Sequence, residues 1–237
     1  MPVYVFPDKS AAILALAHRI VDVAQTSIRF NNRFSLVLSG GNTPKALYQL
    51  LATAPFSNEI DWTKVYFFLG DERYVPLTDD DSNYKMIAEA LFTPLNIRNE
   101  QIIKYDTSLA PPMSAISYEK NIQHFFGGEK MTFDMVLLGL GDNVHTASLF
   151  PHTNILHDQM PAVKSVFIKE LNSYRLTMNA PLINQANHIA FLVSGIDKAM
   201  AVHQVIEGKI DNEKYPAQLI RPVLADWYLD EAAANFL

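Results

Sequence analysis

The sequence predicts an α/β fold: a Rossmann-like, doubly wound, mostly parallel sheet flanked by helices, with a small antiparallel addition. Apolar runs of strand length alternate with segments whose apolar residues recur every three or four positions, the alternation that gives parallel sheets covered by helices. Of the 9 glycines, Gly40, Gly41, Gly70, Gly139, Gly141 and Gly195 fall at predicted carboxyl ends of strands, the edge along which open α/β sheets bind ligands. No internal repeat, low-complexity tract or linker interrupts the 237 residues, so a single domain over 1–237 is expected.

The elements follow in order. Val3 to Phe6 is a short β-branched and aromatic run, ended by Pro7 and followed by Asp8, a capping residue. From Lys9 to about Ile28, Ile13, Ala17, Ile20, Val21 and Ala24 recur with helical spacing. Phe34 to Leu38 reads as the second strand. Ser39-Gly40-Gly41-Asn42-Thr43-Pro44 comes next, with Thr43 the expected N-cap and Pro44 the first residue of a helix running to about Leu51. Lys64 to Leu69 is the third strand and runs into Gly70-Asp71-Glu72-Arg73-Tyr74-Val75-Pro76. Asp79 to Ser82 then caps a helix with Met86, Ile87, Ala90 and Leu91 on its inner side. Ile102 to Tyr105 reads as a fourth strand, and Pro111-Pro112 open a helix that reaches Phe126. Phe133 to Leu138 is an apolar run broken by Gly139 and Gly141, after which Asn143-Val144-His145-Thr146 begins a helix or a tight turn. Val163 to Lys169 and Tyr174 to Met178 read as an antiparallel hairpin. Asn187 to Ser194 is a buried strand before Gly195 and a helix carrying Lys198 on its first turn. Ala225 to Leu229 reads as an edge strand, ahead of Asp230-Glu231 and a short Ala-rich helix.

Composition excludes several classes of function. A net charge of −6 without any Lys/Arg run argues against a nucleic-acid surface, whose affinity rests on many cation–phosphate contacts. A small anion remains compatible, because a local pocket can oppose the global sign. With 0 cysteines, disulfides, thiolate catalysis and a cysteine-based zinc site are excluded. The N-terminal MPVYVFPDKS lacks the basic and apolar regions of a signal peptide, and Ala11 to Ala24 is interrupted by His18, Arg19 and Asp22 and too short to span a bilayer. A cytoplasmic protein without membrane or nucleic-acid partners is expected.

Four places carry candidate chemistry. Gly40 and Gly41 ahead of a helix N-terminus let the backbone approach an anion, with Asn42 and Thr43 adding free N–H groups and a hydroxyl; the alternative is a tight turn that needs glycine for geometry alone. Asp71 to Tyr74 puts four consecutive ionisable side chains after a buried strand, where they are costly to bury unpaired. They are expected to line a wet cleft, the alternative being a solvated loop with an Asp–Arg pair. His145 stands just beyond the carboxyl end of a buried strand and suits proton transfer near neutral pH; otherwise it is a satisfied core or capping histidine. Arg175 and Lys198, read alone, are surface cations.

Taken together, LSGGNTP, FFLGDERYVP, LGLGDNVHTASLFP, YRLT, GIDKA and WYLDEAAA, in this order from Val37 to Ala234, resemble the 6-phosphogluconolactonase family. That family is a branch of a superfamily that also contains glucosamine-6-phosphate deaminase. The resemblance implies hydrolysis of 6-phospho-D-glucono-1,5-lactone to 6-phosphogluconate, the second step of the oxidative pentose phosphate pathway, with no cofactor and no metal. It implies His145 as general base, Arg73 polarising the lactone or binding the product carboxylate, and Asp71 orienting sugar hydroxyls or His145. It further assigns Gly40, Gly41, Asn42, Thr43, Arg175 and Lys198 to the 6-phosphate, and Asn143 to the substrate site. A small-molecule partner and a monomer or weak homodimer are expected.

The chain departs from the family at Asp142-Asn143-Val144-His145, where Glu-Asp-Gly-His is usual. Asn143 can hydrogen-bond the imidazole but adds no charge, and valine at position 144 opposes a positive φ. Two rivals remain. A ring-opening deaminase needs a carboxylate five residues after the histidine, where this chain has Phe150. A non-catalytic sugar-phosphate sensor of this fold would carry a helix-turn-helix segment ahead of it, and nothing basic precedes the first strand here.

Overall fold

The computed structural model describes residues 2–237. Along the chain run β1 (Val3–Phe6), α1 (Lys9–Asn31), β2 (Phe34–Leu38), α2 (Asn42–Leu51), α3 (Phe56–Glu59), β3 (Val65–Leu69), β4 (Asp71–Arg73) and α4 (Asn83–Ile87), which continues as a π-helical turn over Ala88–Phe92. Then follow β5 (Ile102–Ile103), α5 (Pro111–Phe125), β6 (Met135–Leu138), β7 (Val163–Ile168), β8 (Ser173–Met178), α6 (Ala180–Ile183), β9 (His188–Val193), α7 (Ala199–Ile206) and β10 (Ala225–Asp230).

Two sheets result. The larger has the order β1-β10-β9-β6-β2-β3-β5, every pair parallel, and the smaller is the antiparallel set β4-β8-β7. The expected doubly wound architecture with its antiparallel addition is therefore observed. β2 and β6 are buried along their whole length and β3 nearly so, as unbroken apolar strands in a parallel sheet must be. From β2 the chain first builds outward through β3 and β5, then returns to the other side of β2 with β6. The reversal leaves a crevice between the carboxyl ends of β2 and β6, the place where such sheets bind ligands.

Several expectations are corrected. Ala225 to Leu229 is not an edge strand: β1 adds on outside β10, so β10 is enclosed between β1 and β9. The Ala-rich tail after it forms turns rather than a helix, because the Asp230 carboxylate takes the Ala233 N–H at 2.8 Å and wraps the chain back on itself. The Asp71–Arg73 segment, expected to line a wet cleft with a solvated loop as the alternative, is a strand, since β8 offers it a free edge. The N-cap of α2 is Gly41, at φ 111°, so the helix begins at Asn42, ahead of the expected Thr43 cap. Helix α1 is capped by Asp8 as expected but extends to Asn31, and at 23 residues it is long enough to cross a bilayer. Its apolar stripe, including Leu16, Ala17, Ile20 and Ala24, is instead fully buried in the core, where the helix packs against the sheet and α2.

Candidate active site

A cavity of about 270 Å³ opens at the switch point. Its lining comes from Ser39 and Gly40 after β2, Asp71, Arg73 and Asn83 from β4 and α4, Gly139 to Asp142 and His145 to Ala147 after β6, and Lys198 after β9. Segments far apart in sequence thus meet where the sheet topology requires. A larger hollow of about 620 Å³ lies elsewhere, between residues 151–158 and β7, and contains none of the expected site residues.

The Ser39–Gly41 turn is fixed by Tyr48, whose hydroxyl accepts from the Ser39 N–H at 3.0 Å and donates to the Ser39 carbonyl at 2.8 Å. Both backbone groups are thereby satisfied where β2 leaves the sheet. The positive φ of Gly41 turns the chain into α2, and no side chain caps that helix. Its first N–H groups therefore remain available to an anion. Thr43 and Asn42 lie at this helix start rather than in the cavity wall, and the Thr43 hydroxyl sits 3.3 Å from that of Ser194 at the end of β9.

The Asp71–Arg73 strand splits its charges. Asp71 is 8% exposed and Arg73 half-buried, and both line the cavity. Glu72, which the sequence placed in the cleft, points the other way because alternate residues of a strand face opposite sides. It is fully buried and accepts from the backbone N–H groups of Asn83 at 2.7 Å, Tyr84 at 2.8 Å and Arg73 at 2.8 Å, and from Ser82 Oγ at 3.1 Å. Glu72 thus caps α4 and fastens it to β4. Burial pushes its carboxyl above the usual carboxylate range, against the pull of those backbone donors.

Arg73 pairs directly with Arg175 across β4 and β8. Like charges in this register repel. Among the described residues no carboxylate forms an ion pair with either guanidinium; Arg73 donates to the Asp81 carbonyl at 2.7 Å, and Arg175 to Ser173 Oγ at 3.0 Å and the Tyr174 carbonyl at 3.2 Å. Burial first, and then Arg73, lowers the pKa of Arg175. A facing pair of cations with spare donors is a site for an anion. Arg175 stands beside the cavity rather than in its wall, whereas Lys198, 3.5 Å from the Asp197 carboxylate, lines it directly.

After β6 the chain makes a tight turn, not a helix. Asn143 Oδ1 accepts from the His145 N–H at 3.3 Å and also meets the His145 Nδ1. Since the backbone N–H can only donate, the atom facing it is the amide oxygen, and Nδ1 must donate to that same oxygen. The imidazole is therefore the Nδ1–H tautomer, with Nε2 left as the acceptor. Asn143 is occupied in orienting the ring and does not line the cavity. Phe150 stacks on the ring at 4.1 Å between centroids. Burial lowers the pKa of His145 below the ordinary imidazole value, with Asp71 and then Asp142 pulling it back up and Lys198 and Arg175 pressing it down.

Val144 adopts φ 64° although valine opposes it. Its side chain is buried in the core, and its backbone is held by Gly141 O at 3.0 Å on one side and by the Ala217 N–H at 3.1 Å on the other. The surroundings over-determine the turn.

The sequence reading missed four contributors. Gly141 gives the histidine its room: a Cβ there would lie 2.1 Å from His145 Nδ1. Ser148 Oγ donates to Asp71 Oδ2 at 2.7 Å. Asn83 Nδ2 donates to the Asp71 carbonyl at 3.0 Å. Tyr48 fixes the glycine turn. Only Gly141 left a signal, as a second glycine three residues after a strand end.

A family of glucosamine-6-phosphate isomerases and 6-phosphogluconolactonases matches residues 7–228. This chain belongs to that family. A 6-phosphogluconolactonase from Nostoc sp. is 39% identical over 98% of this chain and 96% of its own length. One from Haemophilus influenzae is 33% identical over 98% of each chain. Among solved structures, 6-phosphogluconolactonase from Trypanosoma cruzi superposes with a TM-score of 0.87 at 28% identity, covering 100% of this chain and 96% of that one.

Proposed function

We propose that this protein is a 6-phosphogluconolactonase: it hydrolyses 6-phospho-D-glucono-1,5-lactone to 6-phospho-D-gluconate, the second step of the oxidative pentose phosphate pathway. The observation that carries this reading is the contact of His145 Nδ1 with Asn143 Oδ1 at the cavity wall, which leaves Nε2 to take a proton. The curated relatives support the substrate by their names. Phe150 disfavours amino-sugar ring opening, because it stacks on the imidazole where that chemistry needs a carboxylate.

In the proposed reaction His145 Nε2 removes a proton from water as the oxygen attacks the lactone carbonyl. Arg73, with guanidinium donors beyond the one given to Asp81, stabilises the oxyanion of the tetrahedral intermediate. The imidazolium then returns its proton to the ring oxygen as the C–O bond breaks. Asp71, whose charge raises the basicity of His145, supports the imidazolium and orients a sugar hydroxyl. The 6-phosphate is held by the start of α2 at Gly40 to Thr43, by Lys198 and by Arg175.

The test follows hydrolysis of freshly prepared lactone above its spontaneous opening. The wild type is expected to accelerate the reaction, and His145→Ala to lose about 10²- to 10⁴-fold in kcat, the usual worth of a general base. No acceleration by the wild type refutes the lactonase reading; full activity in His145→Ala refutes the base.

A further inference from the structure

Asn83 joins three parts of the site. Its backbone N–H is held by Glu72 at 2.7 Å, and its Nδ2 donates to the Asp71 carbonyl at 3.0 Å and to Asp71 Oδ1 at 3.4 Å. Its Oδ1 occupies the space in front of Gly40: a Cβ on that glycine would come within 1.9 Å of it. Glycine at position 40 is thus required by the carboxamide of Asn83 as well as by any approach to an anion. The orientation of the amide is fixed, because both atoms facing Nδ2 are acceptors and demand the NH₂ end.

Oδ1 is then left over. Asn83 is 3% exposed and lines the cavity, yet among the described residues no donor reaches this oxygen. This oxygen faces the cavity, where solvent can supply its donor in the free protein and a bound ligand must do so once water is displaced. Beside it stands the Asp71 carboxylate, which accepts from Ser148 and Asn83 and retains further lone pairs. The two side chains form a patch that accepts and does not donate.

We propose that Asn83 is a specificity-determining residue whose Oδ1 accepts a hydrogen bond from a ring hydroxyl of the substrate, so that the Asn83–Asp71 patch selects polyhydroxylated lactones over deoxy ones. The assignment rests on the lactonase reading above. It extends that reading from the reacting carbon and the phosphate to the sugar face, where the hydroxyl is the donor and Asn83 Oδ1 and the Asp71 carboxylate are the acceptors.

The experiment compares wild type, Asn83→Ala and Asn83→Ser on 6-phosphogluconolactone and on its 2-deoxy, 3-deoxy and 4-deoxy counterparts, all freshly made. The quantity read is the ratio of kcat/KM for the parent lactone to that for each deoxy lactone. This ratio is independent of the fraction of enzyme that folds. For the wild type, one deoxy lactone is expected to be poorer by about 10- to 100-fold, the effect of leaving a buried acceptor unpaired. In Asn83→Ala that ratio is expected to fall to within about threefold of unity, with Asn83→Ser between, while the ratios for the other two deoxy lactones stay as in the wild type. The proposal is overturned if the wild type treats all three deoxy lactones like the parent, or if the variants slow every lactone by one common factor. A variant too unstable to assay leaves the wild-type arm and the other variant to decide. A wild type that does not hydrolyse the parent lactone overturns the lactonase reading and this assignment together, which separates that failure from an unchanged ratio in an active enzyme.

Discussion

Gly141→Ala isolates the orientation of His145 from the stability of the fold. An added Cβ would lie 2.1 Å from Nδ1, 2.2 Å from Cε1 and 2.9 Å from Cγ of the imidazole, whereas ordinary contact begins at 3.4 Å. The nearest ring atom must therefore move by about 1.3 Å, the difference between 3.4 and 2.1 Å. Phe150, stacked at 4.1 Å, restricts where it can go, so the ring pivots away from Asn143 and Nε2 leaves its position. A displacement of about 1 Å at a reacting group costs on the order of 10²-fold, or about 2.7 kcal/mol of transition-state stabilisation. Gly141 has no left-handed φ, so alanine strains no backbone and, by restricting the unfolded chain, adds about 0.4–1 kcal/mol of stability. The assay pairs steady-state lactone hydrolysis with a thermal melt. The expected result is a kcat lower by about 10²-fold or more with an unchanged or slightly raised Tm. Wild-type activity in Gly141→Ala would show that the seated ring is not the catalytic one, and a Tm lowered by more than about 10 °C would show that the glycine serves folding.

Three further perturbations test the electrostatics and the frame. Because burial lowers the pKa of His145, the neutral base persists into mild acid, so the acidic limb of kcat/KM is expected below the ordinary value of about 6.5. Asn143→Asp should move the limb upward by favouring the imidazolium; a limb at or above 6.5 in the wild type contradicts the assignment. The same lowered pKa makes stability complete above the unfolded value and lost as the pH falls toward the folded one, because there the unfolded chain binds the extra proton. Glu72→Ala strips the acceptor from three backbone N–H groups and Ser82, and should destabilise by about 2–4 kcal/mol in urea unfolding; a change below about 0.5 kcal/mol would mean α4 needs no such fastening. Arg175→Ala is expected to raise KM by tenfold or more, about 1.4 kcal/mol, with little change in kcat, since the phosphate is remote from the reacting carbon; an unchanged KM removes Arg175 from the site.

What the sequence revealed, and what it hid, follows from the range of the interactions involved. Apolar runs and the glycines after them mark strand ends through local propensity, so the ligand edge of the sheet and Gly40 and His145 beside it were legible. Asp71, Arg73 and Lys198 were given places in the site by the family resemblance, and they do line the cavity. Asp8 and Ser82 as helix caps were legible for the same reason: each side chain accepts from an N–H three residues on. The inward turn of Glu72 was not, because it depends on Asp71–Arg73 becoming a strand, which in turn depends on β8 a hundred residues later. Asn83 and Ser148 are ordinary helix-start and turn residues in one dimension, and they acquire roles only when both meet Asp71, Asn83 at its carbonyl and carboxylate and Ser148 at its carboxylate. At Val144 local preference was correct in kind and lost to tertiary packing, with the strained φ retained because the buried side chain and two backbone hydrogen bonds hold it.

The enclosure of β10 between β1 and β9 also bears on how the molecule assembles. β1 and its ladder partner are far apart in sequence, from Val3 opposite Trp227 to Phe6 opposite Asp230. Until β10 pairs with it, β1 has no neighbour in the sheet, and the backbone of Tyr4 and Val5 presents an unpaired edge. The inner strands β2, β3 and β6 lie closer together in sequence, so their pairing closes shorter loops than that of β1 with β10. Such long-range pairing slows folding and leaves open strands vulnerable to association in the interim. The largest loop-closure cost in this strand order therefore falls on the pairing of β1 with β10.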